Sequence, residues 1–200
     1  MIGNDIIDLR IGVGKYKTDR REKWLQKIAL PSEISLLNKW PESLCPDILW
    51  SIKESVFKCR TRSQFTRSFN PGDVQLIELK HQNFKEGAGV VKWNQESFTI
   101  RFLIEKHWLH AVASYGKQEL YWRQVCFHEV PDHNEQSLQL RSMFLSDISR
   151  RMSGHWFVEK CSNGLPELIN RTGMKIPVSF SHHGQFGAWA TLEEHIKLTE

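Results

Sequence analysis

One predicted helix contains the side chains of this chain that are best suited to chemistry. Residues 50–58 read W-S-I-K-E-S-V-F-K, and helical geometry stacks Trp50, Glu54 and Lys58 one turn apart, with Lys53 beside them. In one interpretation, Glu54 and Lys58 form an ordinary salt bridge on a solvated face, worth roughly a few tenths of a kcal/mol. In the other, the Glu54 carboxylate binds a metal ion while the neighbouring ammonium groups bind phosphate.

A second candidate metal ligand lies near the start of the chain. Residues 2–9 predict a short strand, in which Asp5 lies among isoleucines. An ionised carboxylate is costly to bury there unless something pairs with it. The alternative is a turn at the strand end, formed by residues 3–5. Asp5 and Glu54 together offer the hard oxygen ligands that Mg²⁺ prefers.

The surrounding pattern predicts helices first and antiparallel strands afterwards. Two helical segments, 20–30 and 33–40, are separated by Pro31, and Ser32 is a candidate N-cap of the second. After residue 70 the hydrophobic pattern changes from helical spacing to strict alternation. The elements predicted from this point are strands 74–79, 88–93, 97–104, 108–114 and 121–130, helix 136–152, and a closing hairpin of 178–184 and 186–191.

Residues 131–134, P-D-H-N, form a break between two groups of elements. We therefore expect two halves, residues 1–130 and 131–200, each with a helix followed by strands. Arg150 and Arg151 end the helix of the second half, where they would either cap the helix C-terminus or bind phosphate.

Composition narrows the class of protein. The 200 residues carry a net charge of +4, and no apolar run reaches the roughly 20 residues of a membrane-spanning helix. The N-terminal residues do not resemble a signal peptide, so we expect a cytoplasmic protein without a membrane partner. The four cysteines form no C-x-x-C pair, which argues against a disulfide framework or a zinc ribbon. The modest positive charge suits an acidic partner or an anionic ligand.

Other functional classes have weaker signals. The chain contains no G-x-x-x-x-G-K-[ST] phosphate loop and no dinucleotide-binding fingerprint. Ser179 and Ser181 precede His182 outside a G-x-S-x-G elbow, which disfavours acyl hydrolysis. The irregular spacing of the histidines and Cys161 disfavours a zinc site. The eight tryptophans are scattered through apolar patterns, so a nucleic-acid-binding surface is a minor alternative.

Three motifs together resemble the 4′-phosphopantetheinyl transferase superfamily, with its holo-acyl-carrier-protein synthases. The G-x-D, W-x-x-K-E-S-x-x-K and V-S-x-S-H motifs of that family correspond to residues 3–5, 50–58 and 178–182. Residues 164–166 resemble its G-x-P turn, and residues 20–33 resemble its R…F…E helix pair. The resemblance covers both ends of the chain, whereas residues 70–134 match only in general character.

The resemblance implies a reaction. Such enzymes transfer the 4′-phosphopantetheine group of coenzyme A to a serine of an apo acyl or peptidyl carrier protein, and release adenosine 3′,5′-bisphosphate. By position, Asp5 and Glu54 would hold Mg²⁺, or alternatively Mn²⁺, against the coenzyme A pyrophosphate. Lys58 would neutralise charge on the phosphate during transfer. Either Glu54 or a metal-bound water would remove the serine proton.

The resemblance also implies residues that bind coenzyme A. Lys53 would contact the ligand, and Ser181 and His182 would hydrogen-bond phosphate oxygens at its nucleotide end. Leu165 stands where the family often has a basic residue, so the 3′-phosphate must rely on other cations. The candidates are Arg60, Arg141, Arg150, Arg151 and Lys175.

Departures from the family pattern bear on the metal site and on the architecture. Larger members usually have G-x-D-x-E, but the last position is Ile7 here, so we expect two protein ligands with water completing the metal shell. Asp8 is expected to orient neighbouring groups.

Larger members also place the S-H motif first, whereas it comes last here. We therefore expect two ferredoxin-like α+β halves in swapped order, forming a pseudo-dimeric monomer with coenzyme A between them. The rival is a non-catalytic module of the same fold that binds a carrier protein or nucleic acid.

Overall fold

The computed structural model describes residues 1–12, 18–62, 68–127 and 132–196, without the side chains of residues 18–21 and 82. These residues form an α+β fold with two antiparallel five-stranded sheets. The helices are α1 (Thr18–Ile28), α2 (Pro31–Leu36), α3 (Cys45–Arg60) and α4 (His133–Ser149). The strands are β1 (Ile2–Asp8), β2 (Val74–Asn83), β3 (Glu86–Trp93), β4 (Glu96–Ile104), β5 (Trp108–Tyr115), β6 (Leu120–Cys126), β7 (Trp156–Lys160), β8 (Pro166–Asn170), β9 (Lys175–His183) and β10 (Phe186–Leu192).

The two sheets have the same topology. The strand order is β1-β5-β4-β3-β2 in the first sheet and β6-β10-β9-β8-β7 in the second, so each sheet pairs its first strand with its last. One long helix lies between the first two strands of each sheet in the chain, α3 in the first half and α4 in the second. Apart from the short helices α1 and α2, both halves therefore run β-α-β-β-β-β.

The helix α3 packs against the first sheet because its apolar residues recur on one face. Ile48, Ile52 and Val56 are fully buried in the core of this half. Burial of each such side chain contributes about 1.5–3 kcal/mol. The backbone of α3 passes directly over Gly3 in β1, where a Cβ would overlap the backbone carbonyl of Ser55. This close approach requires glycine and brings the motif residues of α3 next to β1.

The helix α4 covers the second sheet. Asp132 caps its start, because the Asp132 side chain accepts hydrogen bonds from two backbone N–H groups of the first turn. Phe144 is fully buried against the sheet, where its ring lies 5.8 Å from the Trp189 ring. The cap fixes the beginning of α4 at the break that the sequence predicts.

The two halves meet where β1, at the edge of the first sheet, lies against β9. Alternate backbone N–H groups of β1 donate to side chains of β9. The pairs are Asn4 N to Ser179 Oγ at 3.1 Å, Ile6 N to Ser181 Oγ at 3.2 Å, and Asp8 N to His183 Nδ1 at 3.0 Å. We call these three side chains the β9 ladder. It closes the outer edge of β1 and fixes the register of one half against the other.

Arg62, which follows α3, also joins the halves. Its guanidinium donates to the carbonyl oxygens of Ile2 at 3.0 Å and Pro166 at 3.3 Å, and to that of Val178. One cation thus ties β1 to β8 and β9. Hydrogen bonds from charged donors are stronger than those between neutral groups, so this contact adds to the ladder.

The predicted elements are confirmed in type and differ at their ends. The four strands from residue 74 to residue 114 are β2 to β5, and the closing hairpin is β9 and β10. Strands β7 and β8 were not predicted, because they are short and show no strict alternation of apolar and polar residues. Helix α2 begins at Pro31 and has no cap from Ser32, since proline is itself favourable in the first helical turn.

Strand β6 lies within the half predicted as residues 1–130 but pairs with β10, so the second sheet begins before that boundary. The end of predicted strand 121–130 and Pro131 lie outside the described residues, as does the side chain of Arg20. Within the described ranges, none of the helices has the length and apolar character needed to cross a membrane.

Candidate active site

Side chains from three elements meet at the junction of the halves. Lys58 Nζ of α3 lies 2.9 Å from Asp5 Oδ1 of β1, and Ser181 Oγ of β9 donates to the same oxygen at 3.0 Å. Lys58 Nζ also donates to Ser181 Oγ at 3.3 Å. We call this closed set the Asp5 triangle. The side chains of Asp5 and Lys58 are 12% and 31% exposed, so a ligand can reach the triangle from the Lys58 side.

Glu54 precedes Lys58 by one helical turn and is partly buried. Burial raises the pKa of Glu54, Lys58 lowers it, and the nearby Asp5 carboxylate raises it further, so that the net shift is upward. Two carboxylates that repel each other in a partly buried position are stabilised by a divalent cation. Asp5 and Glu54 therefore have the charge and the donor atoms of a magnesium site.

The residues fit a metal that takes two ligands from the protein. Over the described residues, no group of three His, Cys, Asp or Glu side chains is placed to hold a metal ion. Mg²⁺ commonly completes its coordination with water and substrate phosphates, so a carboxylate pair is a sufficient donor set.

Asp8 accepts hydrogen bonds from two neighbouring segments. Its Oδ1 accepts a hydrogen bond from Arg10 Nε at 2.8 Å, and its Oδ2 accepts one from Gln185 N at 3.2 Å. Burial would raise the pKa of Asp8, but these hydrogen bonds outweigh burial and the pKa is lowered. The carboxylate holds the turn between β9 and β10 against the end of β1.

His182 leaves β9 on the face opposite Ser181, because successive side chains of a strand alternate. Its ring centre lies 4.4 Å from that of His133 at the start of α4. Burial lowers the pKa of His182, and the positive potential of His133 and Lys58 lowers it further. The imidazole is therefore neutral at neutral pH, and a bound anion would favour its protonation.

Lys53 lies in a different environment. Its ammonium is fully buried and donates to Glu33 Oε2 at 2.9 Å, to Ile28 O at 2.5 Å and to Pro71 O at 3.0 Å. Burial lowers the pKa of Lys53, and Glu33 opposes that shift. These acceptors use all three N–H donors. Lys53 therefore ties the segments around α3 together and has no donor left for coenzyme A in this structure.

Four of the cations proposed for the 3′-phosphate have carboxylate partners: Arg150 and Arg151 share Asp147, and Arg60 and Lys175 have one each. Arg60 Nε binds Glu96 Oε2 at 2.6 Å, and its guanidinium lies over the Trp93 ring. Lys175 Nζ lies 3.7 Å from Glu167 Oε2. Arg60 is buried and serves the packing of the first half, whereas the exposed Lys175 pair is weak.

Arg150 and Arg151 line an open cleft of about 1010 Å³ between α4 and β6, to which Arg123 adds a third guanidinium. Asp147 anchors this α4–β6 cleft. Its Oδ1 accepts a hydrogen bond from Arg151 Nε at 3.2 Å, and its Oδ2 accepts one from Tyr121 Oη at 2.5 Å. The remaining candidate, Arg141, is partly exposed on α4.

Sequence reasoning missed the residues that hold the site together. Ser179, Ser181 and His183 were not expected to bind one neighbouring strand, although the S-x-S-x-H spacing places all three on one face. Glu33 was noted only as the end of the R…F…E segment, and Arg62 was assigned no role. Alternation in β9 was the available signal, whereas the partners of Glu33 and Arg62 are distant in the sequence.

Models of known protein families do not match the chain, and a search of curated proteins found no significant relative. The function must therefore be inferred from the geometry of the site and from the motifs that meet there.

Proposed function

We propose that this protein is a 4′-phosphopantetheinyl transferase of the holo-acyl-carrier-protein synthase type. The observation that carries the proposal is the meeting of the three resembling motifs at one place. Lys58 and Ser181 both contact the carboxylate of Asp5, although they lie 53 and 176 residues from it in the chain. Chance similarity of short motifs gives no reason for such convergence.

We also propose that the two halves form the pseudo-dimer of this family in swapped order, within one monomer. The identical strand orders of the two sheets support this arrangement. Coenzyme A would lie at the junction, with its pyrophosphate at the Asp5 triangle and its nucleotide end towards His182. Asp5 and Glu54 come from the first half and His182 from the second, so the site would need both.

In the proposed reaction, the carrier serine Oγ attacks the phosphorus that bears pantetheine. The new Oγ–P bond forms as the bond from that phosphorus to the bridging oxygen breaks, and adenosine 3′,5′-bisphosphate leaves with the electron pair. Mg²⁺ bound by Asp5 and Glu54 would neutralise the pyrophosphate. Lys58 would donate to the oxygens on which charge develops. The serine proton would pass to the carboxylate of Glu54 or to a nearby water.

His182 would donate from its imidazole to a phosphate oxygen at the nucleotide end. Because its pKa is lowered in the free protein, we expect coenzyme A binding to bring a proton onto the ring. The net positive charge of the chain would favour approach of an acidic acyl or peptidyl carrier protein.

Mass spectrometry of an apo carrier protein after incubation with this protein, coenzyme A and Mg²⁺ tests the proposal. We expect the carrier to gain one phosphopantetheine group with the wild-type protein and none with Glu54→Gln. Glu159→Gln is the matched control, because Glu159 is exposed on β7, and it should leave the gain unchanged. Coenzyme A binding without transfer to acyl or peptidyl carriers would favour the non-catalytic module, and absence of binding would contradict the proposal.

A further inference from the structure

We infer that Ser181 is a positioning residue, which holds Asp5 and Lys58 in their working geometry and makes no contact with coenzyme A. The inference rests on the proposed function and deepens it, because it assigns a role different from the phosphate contact that the motif resemblance implies. It follows from the hydrogen bonds of a single hydroxyl group.

A serine hydroxyl has one donor and two acceptor positions. Ser181 donates its proton to Asp5 Oδ1 at 3.0 Å. It accepts from Ile6 N at 3.2 Å and from Lys58 Nζ at 3.3 Å. All three positions are therefore occupied, and the residue is 6% exposed.

An ionised phosphate oxygen has no proton to donate, so in a hydrogen bond with a serine the hydroxyl must be the donor. Ser181 could therefore bind phosphate only by withdrawing its proton from Asp5, which is a proposed metal ligand. Loss of this hydrogen bond would free the Asp5 carboxylate to move at the moment when coenzyme A and the metal bind. His182 leaves the strand on the other face and remains half-buried. Ser181 would therefore position Asp5 and Lys58, and the adjacent His182 would bind phosphate.

Ser179 provides an internal comparison on the same face of β9. It also accepts a hydrogen bond from the backbone of β1, from Asn4 N at 3.1 Å, and it is similarly buried. The contacts to Asp5 and Lys58 belong to Ser181. A merely structural role in joining the halves should make the two serines equivalent, whereas a positioning role should separate them.

The test compares Ser181→Ala, Ser181→Thr and Ser179→Ala with the wild-type protein. We expect Ser181→Ala to lower kcat for carrier modification about 30-fold while the KM and the directly measured Kd for coenzyme A stay within about twofold. Ser181→Thr keeps the hydroxyl and should recover most of the rate. Ser179→Ala should stay within about threefold of the wild type.

A second readout does not depend on catalysis. The ammonium of Lys58 can be followed in ¹⁵N-edited NMR spectra of the full chain, where loss of its hydrogen-bonded geometry speeds exchange of its protons with water. We expect faster exchange in Ser181→Ala and no change in Ser179→Ala. Thermal unfolding of both variants identifies any general loss of the fold.

The results that overturn the inference are distinct from those that overturn the proposed function. A tenfold rise in the Kd for coenzyme A in Ser181→Ala with unchanged kcat would show direct ligand contact and reject positioning. Equal effects of the two alanine variants on the Lys58 signal would also reject it. If the wild-type protein neither binds coenzyme A nor modifies a carrier, the proposed function fails, yet the NMR comparison still decides whether Ser181 positions Lys58.

Discussion

The first strand and the long helix of each half meet in the same topological position but carry opposite charge. Between β1 and α3, the carboxylate of Asp5 pairs with Lys58, and burial together with the Asp5 charge raises the pKa of Glu54, one helical turn before Lys58. Between β6 and α4, Arg123 and Arg151 line the α4–β6 cleft, and the carboxylate of Asp147 serves as their anchor. One topology thus supports a place where carboxylates predominate and another where guanidinium groups predominate.

Exchange of a charge in each half should have very different effects on activity. We expect Asp5→Asn to slow carrier modification about 1,000-fold, because it removes a proposed metal ligand and the partner of Lys58. Arg123→Gln, in the corresponding strand of the second half, should stay within about twofold. The measurement is the rate of phosphopantetheine transfer followed by mass spectrometry. Equal losses from the two variants would break the functional distinction between the halves.

The ion pairs of the two halves should also differ in their contribution to stability. Lys53→Met leaves the fully buried carboxylate of Glu33 without its cation and should lower the free energy of unfolding by about 3 kcal/mol. Arg151→Met in the second half removes a partly exposed partner of Asp147 and should cost less than about 1 kcal/mol. Urea denaturation measures both.

The same Lys53 variant checks the assignment of a structural role. Coenzyme A binding, measured by calorimetry under conditions where the variant is folded, should be unchanged. If the variant were as stable as the wild type but bound coenzyme A ten times more weakly, the result would favour the ligand contact of Lys53 that the motif implies.

The contact between the halves should depend strongly on Arg62. Arg62→Ala removes donors to Ile2, Pro166 and Val178, and should lower the free energy of unfolding by about 2 kcal/mol. Arg171→Ala, at an exposed turn, is the control and should have no measurable effect. A single cooperative urea transition that splits in two for Arg62→Ala would show that this residue couples the halves.

The smallest expected effect concerns Glu54 itself. Its pKa is raised in the folded protein above the ordinary value of 4.5, so the fold favours the protonated form. The stability that this group contributes is present below the ordinary pKa and is lost as the pH rises through the raised pKa. Without metal, Glu54→Gln should therefore be slightly more stable than the wild type at pH 7 and equal to it near pH 4. A variant less stable at pH 7 would contradict this sign.

Much of the fold could be predicted because local patterns carry it. The alternation after residue 70 predicted β2 to β5, and the apolar face of α3 predicted the helix on which Glu54 and Lys58 lie. The helix α4 was predicted for the same reason. Strand β7 could not be predicted in this way, because its residues are half exposed and its position depends on pairing with β8.

The sequence predicted which residues lie at the site better than it predicted the role of each residue. Asp5, Glu54 and Lys58 were grouped from their chemistry; in the structure Lys58 donates to Asp5, and burial together with the charge of Asp5 raises the pKa of Glu54. The role of Lys53 depends on Glu33, and that of Ser181 on a donor from β1, so neither could be read from neighbouring residues. The strand count of each half and the place of β6 depend on pairing between distant segments.

The β9 ladder has a consequence for aggregation. An edge strand with unpaired N–H groups is a template for strand addition by other chains, and β1 presents three isoleucines along its length. Ser179, Ser181 and His183 occupy those N–H groups with side chains, which leave no continuous backbone edge to extend. Separation of the halves would uncover this edge. A fragment that contains the first half alone should therefore self-associate through β1. In the full chain, the second half covers this edge and prevents strand addition.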